Sequence, residues 1–505
     1  MRVIPRLRWA LPLLLAACHQ ATPQTPQPVL TTPAPVAAAR TFQAVADSIL
    51  NIALPETHWG IEIFDPAADR VRYAHNPQRH FIPASNTKLV VTTVAMGTLG
   101  PEWRYQTPIY AGGAPGSAEP RGLLIVGQGD PTMSGRFHNE DDFAVVKMLA
   151  DSLQAKGIRR INGDIVVDAS SFTPDRVQSS WEVGDLPWYY AAPVSAFAIA
   201  EGALRMIVQG GSAAGAPATA AFVGADFPHP VVVRAVTDTV GARASIDVDF
   251  EAWPDTLIIT GKVAPGKADS SWVAIPDQAS FAAQALRDEL RRRGITTTGV
   301  IRVARDSTSA QQLRASFNTH IPLLTWTSAP VKEIAAAILK PSQNWIAEQL
   351  LRTLGARLGG AGSWSKGVEV ERRYLIDVAR IDSLAFSLRD GSGLSAQNLL
   401  SPHATVQLLD HARRAPWGND YRAALPAPGE PKGTLSNRLS GLETQLVAKT
   451  GTIANVNSLS GYLRTADNRD LIFAIYTNAS GRPSSQVRNA IDALINALVR
   501  ERANQ

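Results

Sequence analysis

Three short elements, far apart and in a fixed order, constrain this chain more than any other feature. Ser85-x-x-Lys88 comes first, Ser342-x-Asn344 follows after a very long interval, and Lys449-Thr450-Gly451 stands near the C-terminal end. If all three serve one site, the fold must carry residue 342 back to residue 85 and set both against a strand near residue 450. Ser85 precedes Lys88 by three positions, so on a helix the two side chains share a face and the amine reaches the hydroxyl. That pair suits a serine nucleophile with Lys88 as its base. The other elements add a hydroxyl and an amide at Ser342 and Asn344, then a cation and a hydroxyl at Lys449 and Thr450 that suit a carboxylate.

Each element alone is weak, since a Ser-x-x-Lys arises by chance about once in a chain of this length. Ser363 and Lys366 form such a match. They lie in the glycine-flanked run Gly360-Ala361-Gly362-Ser363-Trp364-Ser365-Lys366-Gly367, which reads as loop and follows the Ser-x-Asn element instead of preceding it. Ser316-Phe317-Asn318 is a second decoy, in a strand-like or loop segment. Around Ser85 the texture differs. Phe81-Ile82-Pro83-Ala84 leads in, and Leu89-Val90-Val91-Thr92-Thr93-Val94-Ala95-Met96 continues as an apolar helix. A serine that opens such a helix keeps its backbone N–H free for an oxyanion. Ser342-Gln343-Asn344 likewise opens the helical run from Trp345 to Leu351, whereas Lys449-Thr450-Gly451 sits in the strand-like Leu446-Val447-Ala448-Lys449-Thr450-Gly451-Thr452. Two more strand-like runs follow, residues 458–463 and 471–476, with a turn at 466–469, and they predict an antiparallel arrangement with the third element on or beside an edge strand. Residues 486–499 have helical periodicity and would pack on that sheet.

On these residues the chain resembles the D-alanyl-D-alanine carboxypeptidase/endopeptidase family, the low-molecular-mass class C penicillin-binding proteins. The likeness extends to Gly127-Gln128-Gly129-Asp130-Pro131-Thr132, Tyr189-Tyr190-Ala191-Ala192-Pro193-Val194-Ser195-Ala196, Ala347-Glu348-Gln349-Leu350-Leu351-Arg352, Asp390-Gly391-Ser392-Gly393-Leu394-Ser395 and Gly433-Thr434-Leu435. It implies an α/β fold: a penicillin-binding, β-lactamase-like catalytic domain with an antiparallel sheet between helices, interrupted by a large β-rich insertion. It also implies roles. Ser85 attacks the D-Ala–D-Ala carbonyl, Lys88 takes the proton, and Ser342 bridges Lys88 and the leaving nitrogen. Asn344 binds the substrate amide, Lys449 with Thr450 holds the terminal carboxylate beside Gly451, and the oxyanion sits between the N–H groups of Ser85 and Thr452. Lys88 must then be neutral, which burial and the nearby Lys449 charge would favour. Peptidoglycan peptides are the implied substrate, β-lactams the implied acylating inhibitors, and neither cofactor nor metal is called for. Many relatives carry arginine directly after the Asp-Gly-Ser-Gly-Leu-Ser segment, where it helps to bind a diaminopimelate side chain; this chain has Ala396-Gln397.

The expected layout is a signal peptide at 1–17, a tether at 18–40, catalytic segments at 41–106 and 312–505, and the insertion at 107–311. Residues 41–51 read as an amphipathic helix and 59–64 with 71–74 as a strand pair. Within the insertion, strands are expected at 122–126, 163–168, 231–233, 245–249, 256–260 and 298–303, with a helix over 281–293. Asp130 is either a substrate contact from the insertion or part of an Asp-Pro turn.

Arg2, Arg6 and Arg8 precede an apolar run that ends Leu15-Ala16-Ala17-Cys18. This resembles a bacterial lipoprotein signal, with Cys18 lipidated and the protein anchored to a membrane on the periplasmic side of the envelope. Cys18 is the single cysteine of the 505 residues, and lipidation removes an otherwise unpaired thiol. Residues 19–39 contain five prolines and no charge, a semi-extended tether of up to about 60 Å. The net charge of +5 less the three leader arginines leaves +2, too little to argue for nucleic acid. Gly127-x-Gly129 lacks the third glycine and helix of a nucleotide site, and His138 beside Glu140, Asp141 and Asp142 reads as a solvated loop. A β-lactamase is the alternative enzyme, but the sequence has neither Glu-x-x-Leu-Asn after Ser-x-Asn nor Tyr-x-Asn in its place. A non-catalytic peptidoglycan-binding protein is the third reading, against which the intact elements argue.

Overall fold

The structure, a computed structural model, describes residues 41–251 and 255–501. The leader, Cys18 and the tether lie outside the described residues. No helix among those described is long and apolar enough to cross a membrane.

The two ends of the described chain build one five-stranded antiparallel sheet. Its order is Leu446–Ile453, Val456–Arg464, Asp470–Asn478, His58–Asp65 and Arg70–His75. Leu446–Ile453, which carries Lys449, is therefore an edge strand. Strands two and three are buried along almost their whole length because helices cover both faces. On one face the N-terminal helix Phe42–Ser48 and the closing helix Ser484–Arg500 pack through Phe42, Ala46, Leu494 and Leu498 onto Ile61, Phe473 and Ile475. On the other lie Lys88–Thr98, Val331–Leu339, Asn344–Leu354 and Pro402–Arg414, sharing a core that includes Val91, Ile334, Leu350 and Leu408.

The intervening region has its own core, and it is less purely β than its sequence suggested. Its largest sheet has the order Ile301–Ala304, Ile165–Asp168, Leu123–Val126, Gln106–Ala111 and Leu324–Thr327, with the first three strands parallel. Parallel pairing needs crossovers, and Ala144–Ala155 and Gln278–Arg292 supply helices there. Ala144–Ala155 was absent from the expected elements although Val145, Val146, Leu149 and Leu153 form a buried stripe at helical spacing. The last strand, Leu324–Thr327, carries this sheet past residue 311, because its partner Gln106–Ala111 marks where the chain first leaves the catalytic sheet. Smaller antiparallel sheets, including Ala203–Gln209 with Ala268–Ala274, complete the region.

Candidate active site

Ser85 sits in a one-turn 3-10 helix, Ala84–Thr87, that runs directly into the Lys88–Thr98 helix. The preceding Ala84 has φ +48°, a left-handed conformation costly to alanine, and a strained residue beside a nucleophile is where such cost concentrates. Three contacts fix this turn: Thr87 Oγ1 donates to Ala84 O at 2.9 Å, Ser458 Oγ donates to Pro83 O at 2.8 Å, and Asn86 Nδ2 donates to Ser458 Oγ. Gly451 makes the close approach of the edge strand possible. A Cβ there would lie 2.8 Å from Pro83 O and 3.0 Å from Ser85 N.

Lys88 is fully buried, and its Nζ has three oxygen neighbours: Ser85 Oγ at 2.9 Å, Asn344 Oδ1 at 2.7 Å and Ser392 O at 2.6 Å. A neutral amine fits this set, giving its two N–H bonds to Asn344 and Ser392 and turning its lone pair to the Ser85 hydroxyl. Burial lowers Lys88 to about 7, while the charges of Asp390 and Glu348 pull the other way. The sequence pointed to the Lys449 cation as a second lowering influence. In the structure that repulsion weighs on Lys449, which burial and then the Lys88 charge push well below the ordinary lysine range.

Lys449 Nζ donates to Ser342 Oγ at 2.9 Å and to Thr450 O at 2.7 Å. Ser342 was expected to bridge toward Lys88. Its hydroxyl meets Lys449, and Lys88 meets Asn344; Ser342 itself adopts φ +66° just before the helix Asn344–Leu354 begins. Thr450 Oγ1 donates to Thr434 Oγ1 at 2.8 Å, which gives the Gly433-Thr434-Leu435 segment a place in the site. Thr452 is exposed at the end of the same strand. Ala448 N donates to Pro426 O at 3.0 Å, away from the sheet, so by the period of two the amides of Thr450 and Thr452 face that outer side as well.

The site is thus built from Ser85, Lys88, Ser342, Asn344, Lys449, Thr450 and Gly451, with Thr452 beside them. What sequence reasoning missed is mostly backbone. The Asp390–Ser395 segment offers Ser392 O to Lys88, and Gly393 at φ +80° passes so close that a Cβ would fall 1.9 Å from Ala84 O. The insertion also reaches the site: Asn344 Nδ2 donates to Tyr190 O at 2.8 Å, and Trp181 Nε1 donates to Asp390 Oδ2 at 3.0 Å. The insertion thus supports Asn344 and the Asp390–Ser395 segment from outside the flanking segments. Asp130 takes no part: it is 3% exposed, accepts from Thr132 N, Thr132 Oγ1 and Trp326 Nε1, and serves its turn. Ser363, the decoy, caps the helix Trp364–Arg373 by accepting from Lys366 N at 3.2 Å; the run read as loop is therefore helical from Trp364 on, and Ser363 has a structural task at its start. Glu140 beside His138 pairs with Lys432 on the exposed surface, and among the described residues no group of three or more His, Cys, Asp or Glu side chains gathers as a metal site.

Comparison with known proteins places the chain in a family. The D-alanyl-D-alanine carboxypeptidase of Actinomadura sp. (strain R39) is 30% identical over 452 residues, covering 87% of this chain and 81% of the relative. The D-alanyl-D-alanine carboxypeptidase DacB of Haemophilus influenzae is 23% identical over 465 residues, covering 89% and 92%. The crystal structure of penicillin binding protein 4 from Haemophilus influenzae has the same fold, with a TM-score of 0.76 at 21% identity over 90% of this chain and 99% of that one. Residues 41–498 match the model of the D-Ala-D-Ala carboxypeptidase 3 (S13) family, and the chain belongs to that family of serine peptidases.

Proposed function

We propose that Ser85 is the nucleophile of a D,D-carboxypeptidase that acts on peptidoglycan stem peptides, also opens cross-links, and is acylated by β-lactams. Family membership makes the chain a D-Ala-D-Ala carboxypeptidase. The observation that carries the assignment of roles is the 2.9 Å contact between Ser85 Oγ and the buried Lys88 Nζ, whose other two neighbours, Asn344 Oδ1 and Ser392 O, can take its N–H bonds. Ser85 Oγ adds to the penultimate D-Ala carbonyl as its proton passes to Lys88 Nζ, and the oxyanion takes the amides of Ser85 and Thr452. Lys449 and Thr450 hold the terminal carboxylate, and Asn344 binds the substrate amide. As the C–N bond breaks, the departing D-alanine nitrogen takes up the proton that Lys88 accepted; Ser342, which stands 2.9 Å from Lys449 Nζ, is the hydroxyl proposed to relay it once the bound carboxylate draws Lys449 away. Water releases the acyl group with Lys88 again as base. Preference for a diaminopimelate side chain is not part of the proposal, since exposed Ala396 and Gln397 replace the arginine of many relatives.

Fluorescent penicillin is expected to label the purified protein covalently at Ser85. Labelling that survives Ser85→Ala, or that maps to Ser363, would overturn the role of Ser85. For location, we infer a lipid anchor at Cys18 on the periplasmic side of the envelope, supported by Leu15-Ala16-Ala17-Cys18 and the uncharged tether. Cys18→Ser should move the protein out of the membrane fraction while penicillin acylation persists; unchanged membrane association would refute the anchor.

A further inference from the structure

Beneath Lys88 lies a buried carboxylate that no step above uses. Glu348, fully buried on the Asn344–Leu354 helix, accepts from Ser392 N at 2.7 Å, Gly391 N at 3.2 Å and Trp364 Nε1 at 2.7 Å. Three donors converge on it, and none of those partners accepts a proton in return, an arrangement made for the ionised form. Ser392 is thereby gripped at both ends, its N–H by Glu348 and its carbonyl by Lys88 Nζ at 2.6 Å. The peptide that carries this carbonyl is itself tethered through Gly393 N to Asp390 Oδ1 at 2.8 Å.

We propose that Glu348 is a positioning residue for the general base: its ionised carboxylate fixes Ser392, and the Ser392 carbonyl in turn aims the Lys88 amine at Ser85. The inference deepens the acylation mechanism and rests on Lys88 acting as its base. A neutral lysine has one lone pair, and it points at the serine only if both N–H bonds are directed elsewhere. Asn344 takes one of them; Ser392 takes the other. Without Glu348 the Ser392 amide would be buried without an acceptor and the segment would shift, at the cost of aim rather than of fold.

The charges facing this centre come from several elements. Asp390 approaches from its loop, Glu371 from the helix Trp364–Arg373, Arg352 from Glu348's own helix, and Lys449 from the edge strand. Glu371 has both carboxyl oxygens buried without a hydrogen-bond partner among the described residues, and burial followed by the charges of Glu348 and Asp390 drives it well above the usual carboxylate range. Arg352 lies over the Trp364 ring at 4.4 Å. Burial, then the Asp390 charge, raises Glu348 to about 7, so Glu348 and Lys88 change charge in the same pH interval. Loss of the Glu348 charge removes an influence that favours the Lys88 cation, and Lys88 should then deprotonate at lower pH.

The test follows acylation of the purified full-length protein by fluorescent penicillin from about pH 5 to about pH 9. Glu348→Gln should acylate about 30-fold more slowly with its acid limb moved at least about half a pH unit lower, whereas Glu348→Asp, which keeps the charge but shortens the arm, should leave the limb in place and lose about tenfold. Wild-type rates in Glu348→Gln, or a slower rate on an unmoved limb, would overturn the proposal by showing no role or packing alone. If Glu348→Gln does not fold, Trp364→Phe decides, since it keeps a ring over Arg352 and removes one donor: a loss of about threefold supports the proposal and no loss overturns it. NMR titration of the Lys88 ε-methylene in wild type and Glu348→Gln reads the same coupling with no acylating agent: a Lys88 transition moved to lower pH in Glu348→Gln supports the proposal, and an unmoved one overturns it.

Discussion

The two buried lysines of this site have the same side chain and the same lack of solvent, yet their surroundings differ. Lys88, on a helix, touches three oxygens and lies within reach of the charges of Asp390 and Glu348, which hold it at about 7. Lys449, on the edge strand, touches Ser342 Oγ and Thr450 O, and the neighbouring charge that acts on it is that of Lys88. Burial alone would discharge both. The carboxylates near Lys88 offset that burial, which suits the base proposed for it. For Lys449 burial and the Lys88 charge act in the same direction, and in the proposed mechanism the substrate carboxylate supplies the opposing charge.

Substitution at the two positions should break this comparison or sharpen it. Lys88→Arg has the largest expected effect, a loss of about 10³-fold in acylation, because a guanidinium cannot become neutral. Lys449→Arg keeps a cation and should cost about 30-fold, mostly in KM for D-Ala-D-Ala peptides. Equal losses in kcat would mean that the two lysines share one task. For the wild-type enzyme, acylation requires neutral Lys88, whose folded-state value lies below its unfolded one; the rate should be full above about pH 7 and drop about tenfold per unit below it. A limb in the ordinary lysine range would show that Lys88 is not the titrating base. Thr434→Val is the mildest probe. It frees the Thr450 hydroxyl from its 2.8 Å partner, and it should raise KM by about fivefold, the worth of one hydrogen bond of about 1 kcal/mol. An unchanged KM would detach Thr434 from carboxylate binding.

Much of this arrangement is legible in the sequence because side chains carry the signal. Ser85 and Lys88 announce themselves by spacing, and the runs around Lys449 by alternation and turn residues; the structure places them on a helix start and an edge strand. The strand pair at residues 59–74 and the closing helix are found near where periodicity sets them. What escaped were groups without a signature. The carbonyls of Ser392 and Tyr190 are acceptors that any residue could provide, so only the path of the chain reveals them. Glu348 reads as one charged position in an apolar helix, and its role emerges only when Gly391, Ser392 and Trp364 close around it. The parallel pairing in the insertion was hidden for another reason: short apolar strands look alike whichever way they run, and Ala144–Ala155 is what distinguishes them.

The edge position of Leu446–Ile453 has a consequence for how the protein behaves in a crowd. An open sheet edge invites other strands, from a second copy or from unfolded neighbours, to zip onto it. Here Pro426 O already occupies the Ala448 amide, and the Ser85 turn crowds Gly451, so the stretch left open is short. Two amides, those of Thr450 and Thr452, are too few to seed a ladder, and in the proposed mechanism the Thr452 amide is kept for the oxyanion. The crowding that would leave room for one short substrate also keeps the edge from becoming sticky.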